Sequence, residues 1–353
     1  MNIKSLLIGS AAALAVVSGA QAADAIVAAE PEPLEYVRVC DAFGAGYFYI
    51  PGTETCLKIG GYVRYDVGGG ELYGADMSAV NGVTGPGNNY NFNPSGDEWN
   101  TYGRFALNVE TASDTEYGAL KTFVEVRFHA PNSTAGGSSL NFAYIDLAGF
   151  RVGKTESAFV TFPGYIGNVI FDDLVPAGPY DANVIQYNYD SGTGISAVVS
   201  LEDFPNAGNN YVPNIVGGVG YTGGAFGVRV LGGFDSSAEQ GAIKARLDGS
   251  FGGFSAFVMA GWSTNTGGND YANWGGDWAV WLGASAPVTE QVTLNGQVSF
   301  DDDESLAVVA NAAFTVVPGF VITPEVGYYR EGDRFGGNND KAWGGMIRFQ
   351  RSF

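Results

Sequence analysis

From Leu57 onward the chain alternates. Leu57, Ile59, Gly61, Val63, Tyr65 and Val67 share one face, and Lys58, Gly60, Tyr62, Arg64 and Asp66 share the other. Such alternation predicts a strand that is apolar on one side and wet on the other. The pattern returns downstream. Gly103, Phe105, Leu107 and Val109 alternate with Tyr102, Arg104, Ala106, Asn108 and Glu110. Leu120, Thr122, Val124, Val126 and Phe128 alternate with Lys121, Phe123, Glu125, Arg127 and His129. About sixteen such segments occupy residues 57–353, the last running from 341 to Phe353.

The connections between these segments fall into two classes. Tight turns such as Ser191-Gly192-Thr193, Gly252-Gly253 and Pro318-Gly319 alternate with longer stretches such as 69–100, 157–182, 203–212 and 264–276. Short turns at one rim and long loops at the other are what a transmembrane antiparallel β-barrel shows. Its edges must close on each other, because an open edge in lipid leaves backbone groups unpaired at several kcal/mol each. The fold expected is therefore all-β, a membrane barrel of about sixteen strands.

One stretch breaks the pattern. Ser157 to Ala182 is 26 residues long, with three prolines and three glycines and no hydrophobic period. Phe159, Phe162, Tyr165, Ile166, Val169, Ile170, Phe171, Leu174 and Val175 make it too apolar to rest in water. A long irregular segment inside a domain is usually functional or disordered. Its composition is consistent both with a surface loop and with a segment folded into the barrel lumen.

Composition sharpens the class. Of 353 residues 53 are glycine, aromatics make up 14% and charged residues only 15%. That balance suits a barrel whose apolar face is diluted one residue in two. Lys4, the apolar run Leu6–Val17 and Ala20-Gln21-Ala22 read as a secretory signal peptide over residues 1–22. Residues 23–56 then form an acidic lead-in and a small stapled segment ahead of the barrel at 57–353. An exported chain meets an oxidising compartment, so Cys40 and Cys56 are expected to form a disulfide. The formal net charge of −20 argues against nucleic acid as a partner.

The run CDAFGAGYFYIPGTETCLKIGGYVRYD, from Cys40 to Asp66, resembles the N-terminal signature of the alpha-proteobacterial (rhizobial) outer-membrane porin family. The resemblance continues through AYIDLAGFRVGKTES at 143–157, the long segment after it and the terminal Phe353. It implies a trimeric, sixteen-stranded general-diffusion porin in a Gram-negative outer membrane, in contact with lipid and lipopolysaccharide and passing small hydrophilic solutes. It also implies that the third long loop, Ser157 to Ala182, folds inward and forms the constriction.

Charge placement suggests how such a pore would work. Lys58, Arg64, Arg104, Lys121, Arg127 and Arg348 lie opposite the apolar stripe, as do Arg229, Lys244 and Arg246. A base facing lipid costs about 2–4 kcal/mol at mid-depth, so these residues are expected to line the lumen. The first six come from the first three strands and the last, which closure makes neighbours, and form a basic side. Asp172, Asp173 and Asp181 in the long segment are the candidate acidic side. Strand bases can instead be paired with strand acids, as Arg64 with Glu110 or Arg127 with Glu125.

No catalytic constellation is evident. His129 is the only histidine, and no G-x-S-x-G nucleophile motif occurs. No cofactor is implied. Asp301-Asp302-Asp303-Glu304 reads as a solvated loop tip or as a contact to lipopolysaccharide through bridging cations; no metal site is assigned. The alternatives to general diffusion are a substrate-specific channel and, more remotely, a barrel enzyme.

Overall fold

A computed structural model of the chain describes residues 38–73, 99–132, 136–204, 211–264, 269–330, 332 and 341–353. The expected signal peptide and most of the acidic lead-in lie outside the described residues. A short strand β1 (Phe48–Tyr49) precedes sixteen barrel strands. These are β2 (Cys56–Gly69), β3 (Trp99–Thr115), β4 (Gly118–Pro131), β5 (Ser138–Leu147), β6 (Phe150–Glu156), β7 (Asp181–Asp190), β8 (Ile195–Asp203) and β9 (Asn214–Gly223). The second half comprises β10 (Phe226–Asp235), β11 (Gln240–Phe251), β12 (Phe254–Ser263), β13 (Trp278–Pro287), β14 (Val292–Asp301), β15 (Leu306–Val317), β16 (Phe320–Arg330) and β17 (Lys341–Ser352).

Each barrel strand pairs antiparallel with its sequence neighbours, and β17 pairs with β2 to close the sheet. Closure follows the alternation: Ile59, Val63, Tyr65, Phe105 and Phe128 all point to the exposed outer face. On that face Phe353 stacks on Phe105, which stacks on Phe128. The β17–β2 register runs from Gly345↔Gly69 to Ser352↔Tyr62, and Gly61 and Phe353 then exchange backbone hydrogen bonds. Gly61 has φ +152°, and a Cβ there would fall 2.1 Å from the Ala106 carbonyl oxygen, so the seam requires glycine at this point.

Below Phe353 the edge of β2 is taken over by β1, which pairs Phe48 with Leu57 and Tyr49 with Cys56. The Cys40–Cys56 disulfide ties this clip to the start of β2, with a Cα separation of 6.1 Å. The stapled segment thus pairs with the start of the first barrel strand.

Tight turns fall at Gly252-Gly253 and Pro318-Gly319, as read from the sequence, and at Glu116-Tyr117 and Gly224-Ala225. They share one rim, which places it on the periplasmic side. β7 begins at Asp181, so the irregular segment is 157–180, two residues shorter than expected. The edge of the loop is set there by the register Glu156↔Asp181.

The interior departs from a simple wet face. Val184, Val198, Val216, Leu231, Ala242, Met259, Trp281 and Val309 point inward from eight strands and are buried. They pack with Ala158, Phe159, Ile166, Phe171, Leu174 and Val175 of the third long loop in one hydrophobic cluster. The core thus lies inside the barrel, between the inward loop and half of its wall. Burying each large side chain contributes about 1.5–3 kcal/mol relative to leaving it in water.

Candidate functional site

The loop is fixed along its whole length by side chains of the wall. It opens with one helical turn, Ala158–Thr161, capped by Ser157 Oγ, which accepts from the Phe159 N–H at 3.1 Å. Buried Glu202 on β8 accepts from Ser157 Oγ at 2.6 Å, from Ala158 N at 2.8 Å and from the Tyr271 hydroxyl at 3.2 Å. Asn311 on β15 donates to the Asn168 carbonyl at 3.0 Å. Glu325 on β16, only 2% exposed, accepts from the backbone N–H of Ile170 and Phe171 and from Asn311. Gln297 donates to the Asp172 carbonyl at 2.6 Å, Trp281 Nε1 to Val175 O at 2.8 Å, and Lys244 Nζ to Ala177 O. The Ser157 N–H to Tyr180 O bond, 2.8 Å, closes the loop at its base.

This network is what an irregular backbone needs inside a barrel. Its N–H and C=O groups have no ladder partner, and each left unpaired when buried costs about 1–3 kcal/mol. None of Glu202, Gln297, Asn311 and Glu325 is singled out by the sequence pattern. The available signal was an apolar loop needing acceptors, and acids or amides on neighbouring inner faces to supply them.

The candidate bases stand on strands β17 and β2 to β4. Gln350, Arg64, Arg104 and His129 stand in one cross-strand row over β17, β2, β3 and β4. Arg348 and Arg127 lie one row to either side. Arg64 Nε donates to Gln350 at 2.9 Å, and its guanidinium lies 4.8 Å from the Tyr62 ring centroid. Arg104 is buried at 5% exposure; it reaches the Tyr62 hydroxyl at 3.4 Å and lies over Tyr102. Arg348 grips Asp66 through two bonds of 2.8 and 2.7 Å, and Arg127 bonds Glu125 at 2.6 Å. The pairing of Arg127 with Glu125 was one of the sequence alternatives. Arg64 does not pair with Glu110, which instead takes Lys58 at 3.5 Å and the Tyr47 hydroxyl at 2.7 Å.

The six bases therefore do not form one wall. Arg64, Arg104, Arg127 and Arg348 meet at mid-height. Lys58, six residues before Arg64, sits about 20 Å lower along the strand. Lys121, exposed beside Ala112 and Asp146, also lies toward the short-turn rim. Period 2 sorts side chains between faces but does not fix their height.

The three candidate acids separate too. Asp172 is half-buried at the loop's surface. Asp173 turns inward, 7% exposed, and accepts from the Ala177 N–H at 3.3 Å. Asp181 begins β7 and pairs with Lys154. Enclosure raises the Asp172 carboxyl well above the usual carboxylate range, and the charges of Asp173 and Glu325 raise it further, while Arg348 acts against them. Tyr165, whose hydroxyl donates to Glu156, is raised as well by burial and by Glu156.

His129 bonds the Tyr102 hydroxyl and Ser139 Oγ, so it belongs to the wall. At the long-loop rim, Asp301 accepts from the N–H groups of Gly275 and Ser305, both at 2.9 Å. No group of three or more His, Cys, Asp or Glu side chains arranged to hold a metal is found among the described residues.

A closed sixteen-strand barrel with tight turns at one rim, long connections at the other and a third long loop packed inside defines a channel across a Gram-negative outer membrane. The sequence places it further: the profile of the porin subfamily matches residues 24–346, and the chain belongs to that family. It is 47% identical to Porin Omp2b of Brucella neotomae and 46% identical to Porin Omp2b of Brucella abortus, in each case over 100% of both chains. Among solved structures it resembles the outer membrane channel DcaP of Acinetobacter baumannii, with TM-score 0.69 and 15% identity over 86% of this chain and 99% of that one. An anion-selective porin from Comamonas acidovorans gives TM-score 0.61 and 14% identity, covering 85% and 100%. These two likenesses show the fold.

Proposed function

We propose that the loop 157–180 sets the constriction of this porin, and that ions and small hydrophilic solutes pass between Asp172 and the cluster of Arg64, Arg127 and Arg348. The observation that carries the reading is geometric: the loop is held inside the barrel by Glu325, Gln297 and Trp281, which leaves Asp172 half-buried at its surface. Arg104 stands behind this surface and supports Tyr62 and Tyr102. Asp173 and Asp181 act as structural carboxylates. Lys58 and Lys121 tune the periplasmic mouth.

A field between an acid on the loop and bases on the wall orients dipolar solutes and offsets part of their dehydration. The Debye length at physiological salt is about 8 Å, comparable to a pore radius, so charge selectivity is modest and falls with salt. The channel is passive, works as a homotrimer as the family resemblance implies, and rests in lipid and lipopolysaccharide.

The test is solute flux into proteoliposomes. Neutral sugars should enter at rates that fall with size and stay linear in concentration. Saturating flux of a neutral sugar would refute general diffusion. A single band at monomer mass for the unheated protein would refute the trimer.

A further inference from the structure

On the short-turn side of the loop the lumen opens into a side chamber of about 460 Å³, between Tyr165 and strands β10 to β13. That volume is within the range of small-molecule sites. The aromatic surface of the chamber is Phe257, which lies flat across Gly283: a Cβ there would fall 2.2 Å from Phe257 Cε1, so the arrangement depends on glycine. The Arg246 guanidinium stacks 3.9 Å from the Phe257 ring centroid. It is held by the Gly164 and Tyr165 carbonyls and by Asp248 at 2.8 Å.

Arg229, directly across the ladder from Arg246, shares the same carboxylate at 3.0 Å. Two guanidiniums thus divide one carboxylate, and the wall carries a positive excess. Arg246 is committed to the loop. Arg229 is 28% exposed and lines the chamber; among the described residues its other hydrogen bond is a long contact of 3.5 Å to Thr222 Oγ1. The hydroxyl of Ser255 lines the same space.

A guanidinium fork matches a carboxylate, and serine hydroxyls beside it suit a hydroxylated carbon chain. We infer that this chamber is a binding station for small polyhydroxylated carboxylates of the sugar-acid class, with Arg229 taking the carboxylate and the hydroxyls of Ser250 and Ser255 the polyol. The inference rests on the channel reading above and adds a resting point below the constriction.

The probe is gluconate, with glucose as the neutral control and purified full-length porin in proteoliposomes. Gluconate flux should saturate with concentration while glucose flux stays linear. Arg229→Gln should raise the half-saturating concentration about tenfold, the size expected for loss of one charge-assisted hydrogen-bond pair. Asp248→Asn, which releases Arg229 from its partner, should lower it. Linear gluconate flux, or the same half-saturation in wild type and Arg229→Gln, would overturn the proposal. If Arg229→Gln does not insert, Asp248→Asn decides: tighter binding supports the station, and unchanged or weaker binding overturns it. Absence of ionic conductance in the wild-type protein would instead count against the channel reading itself.

Discussion

Glu325 is the residue whose removal should change the pore most per atom lost. Its carboxylate accepts from Asn311 and from two consecutive loop N–H groups, those of Ile170 and Phe171, directly before Asp172 in the loop. Glu325→Ala deletes the acceptor and leaves two backbone donors without it. At about 1–3 kcal/mol each, the cost is about 2–6 kcal/mol against the docked loop, less whatever lumen water recovers. The bonds of Trp281 to Val175 and of Lys244 to Ala177 remain, so the loop should loosen near Asp172 rather than leave the wall. Single-channel recordings should then show a broader conductance distribution with added open-channel noise, and larger sugars should enter proteoliposomes faster. Glu325→Gln keeps one acceptor oxygen and most of the shape, so it should fall between wild type and Glu325→Ala. Wild-type conductance, noise and sugar exclusion in Glu325→Ala would refute the reasoning.

Other predictions separate charge from structure. Asp172→Asn should lower cation preference, read as a shift in reversal potential across a KCl gradient. Asp173→Asn should leave the reversal potential near wild type and reduce heat stability, because that carboxylate is spent on the Ala177 N–H and the surrounding fold. The pH dependence follows from the raised Asp172 carboxyl: it keeps its proton above the usual carboxylate range, so its charge appears only as pH rises further. Cation preference should therefore grow with rising pH, and Asp172→Asn should remove the trend. Replacing Cys40 and Cys56 by serine should cost about 3 kcal/mol in the chain-entropy model. The loss should appear as a lower unfolding temperature, and added hydrogen exchange at Leu57 and Lys58 would trace it to the seam.

Most of the architecture was legible because the barrel repeats one rule. A period of two, broken by tight turns on one side only, gives strand number, closure and rim polarity without reference to tertiary detail. The interior was less legible. Val198, Leu231 and Met259 sit on the inner face, where water was expected, because the loop covers them. Nothing local to those strands announces a loop donated from residues 157–180. The height of the charged groups was hard to read for a related reason. Alternation put Lys58 and Arg64 on the same face, but height along the strand separates them. Asp172 and Asp173 are adjacent in sequence, and an irregular backbone leaves one half-buried and buries the other.

The central claim is that a cluster of bases at mid-height faces the loop across the path of ions. It is tested most directly by the reversal potential of the protein carrying Arg64→Ser and Arg127→Ser together, in planar bilayers under a KCl gradient, with conductance confirming insertion. The account predicts a shift toward cations that shrinks as salt is raised. A reversal potential identical to wild type at low salt would contradict it.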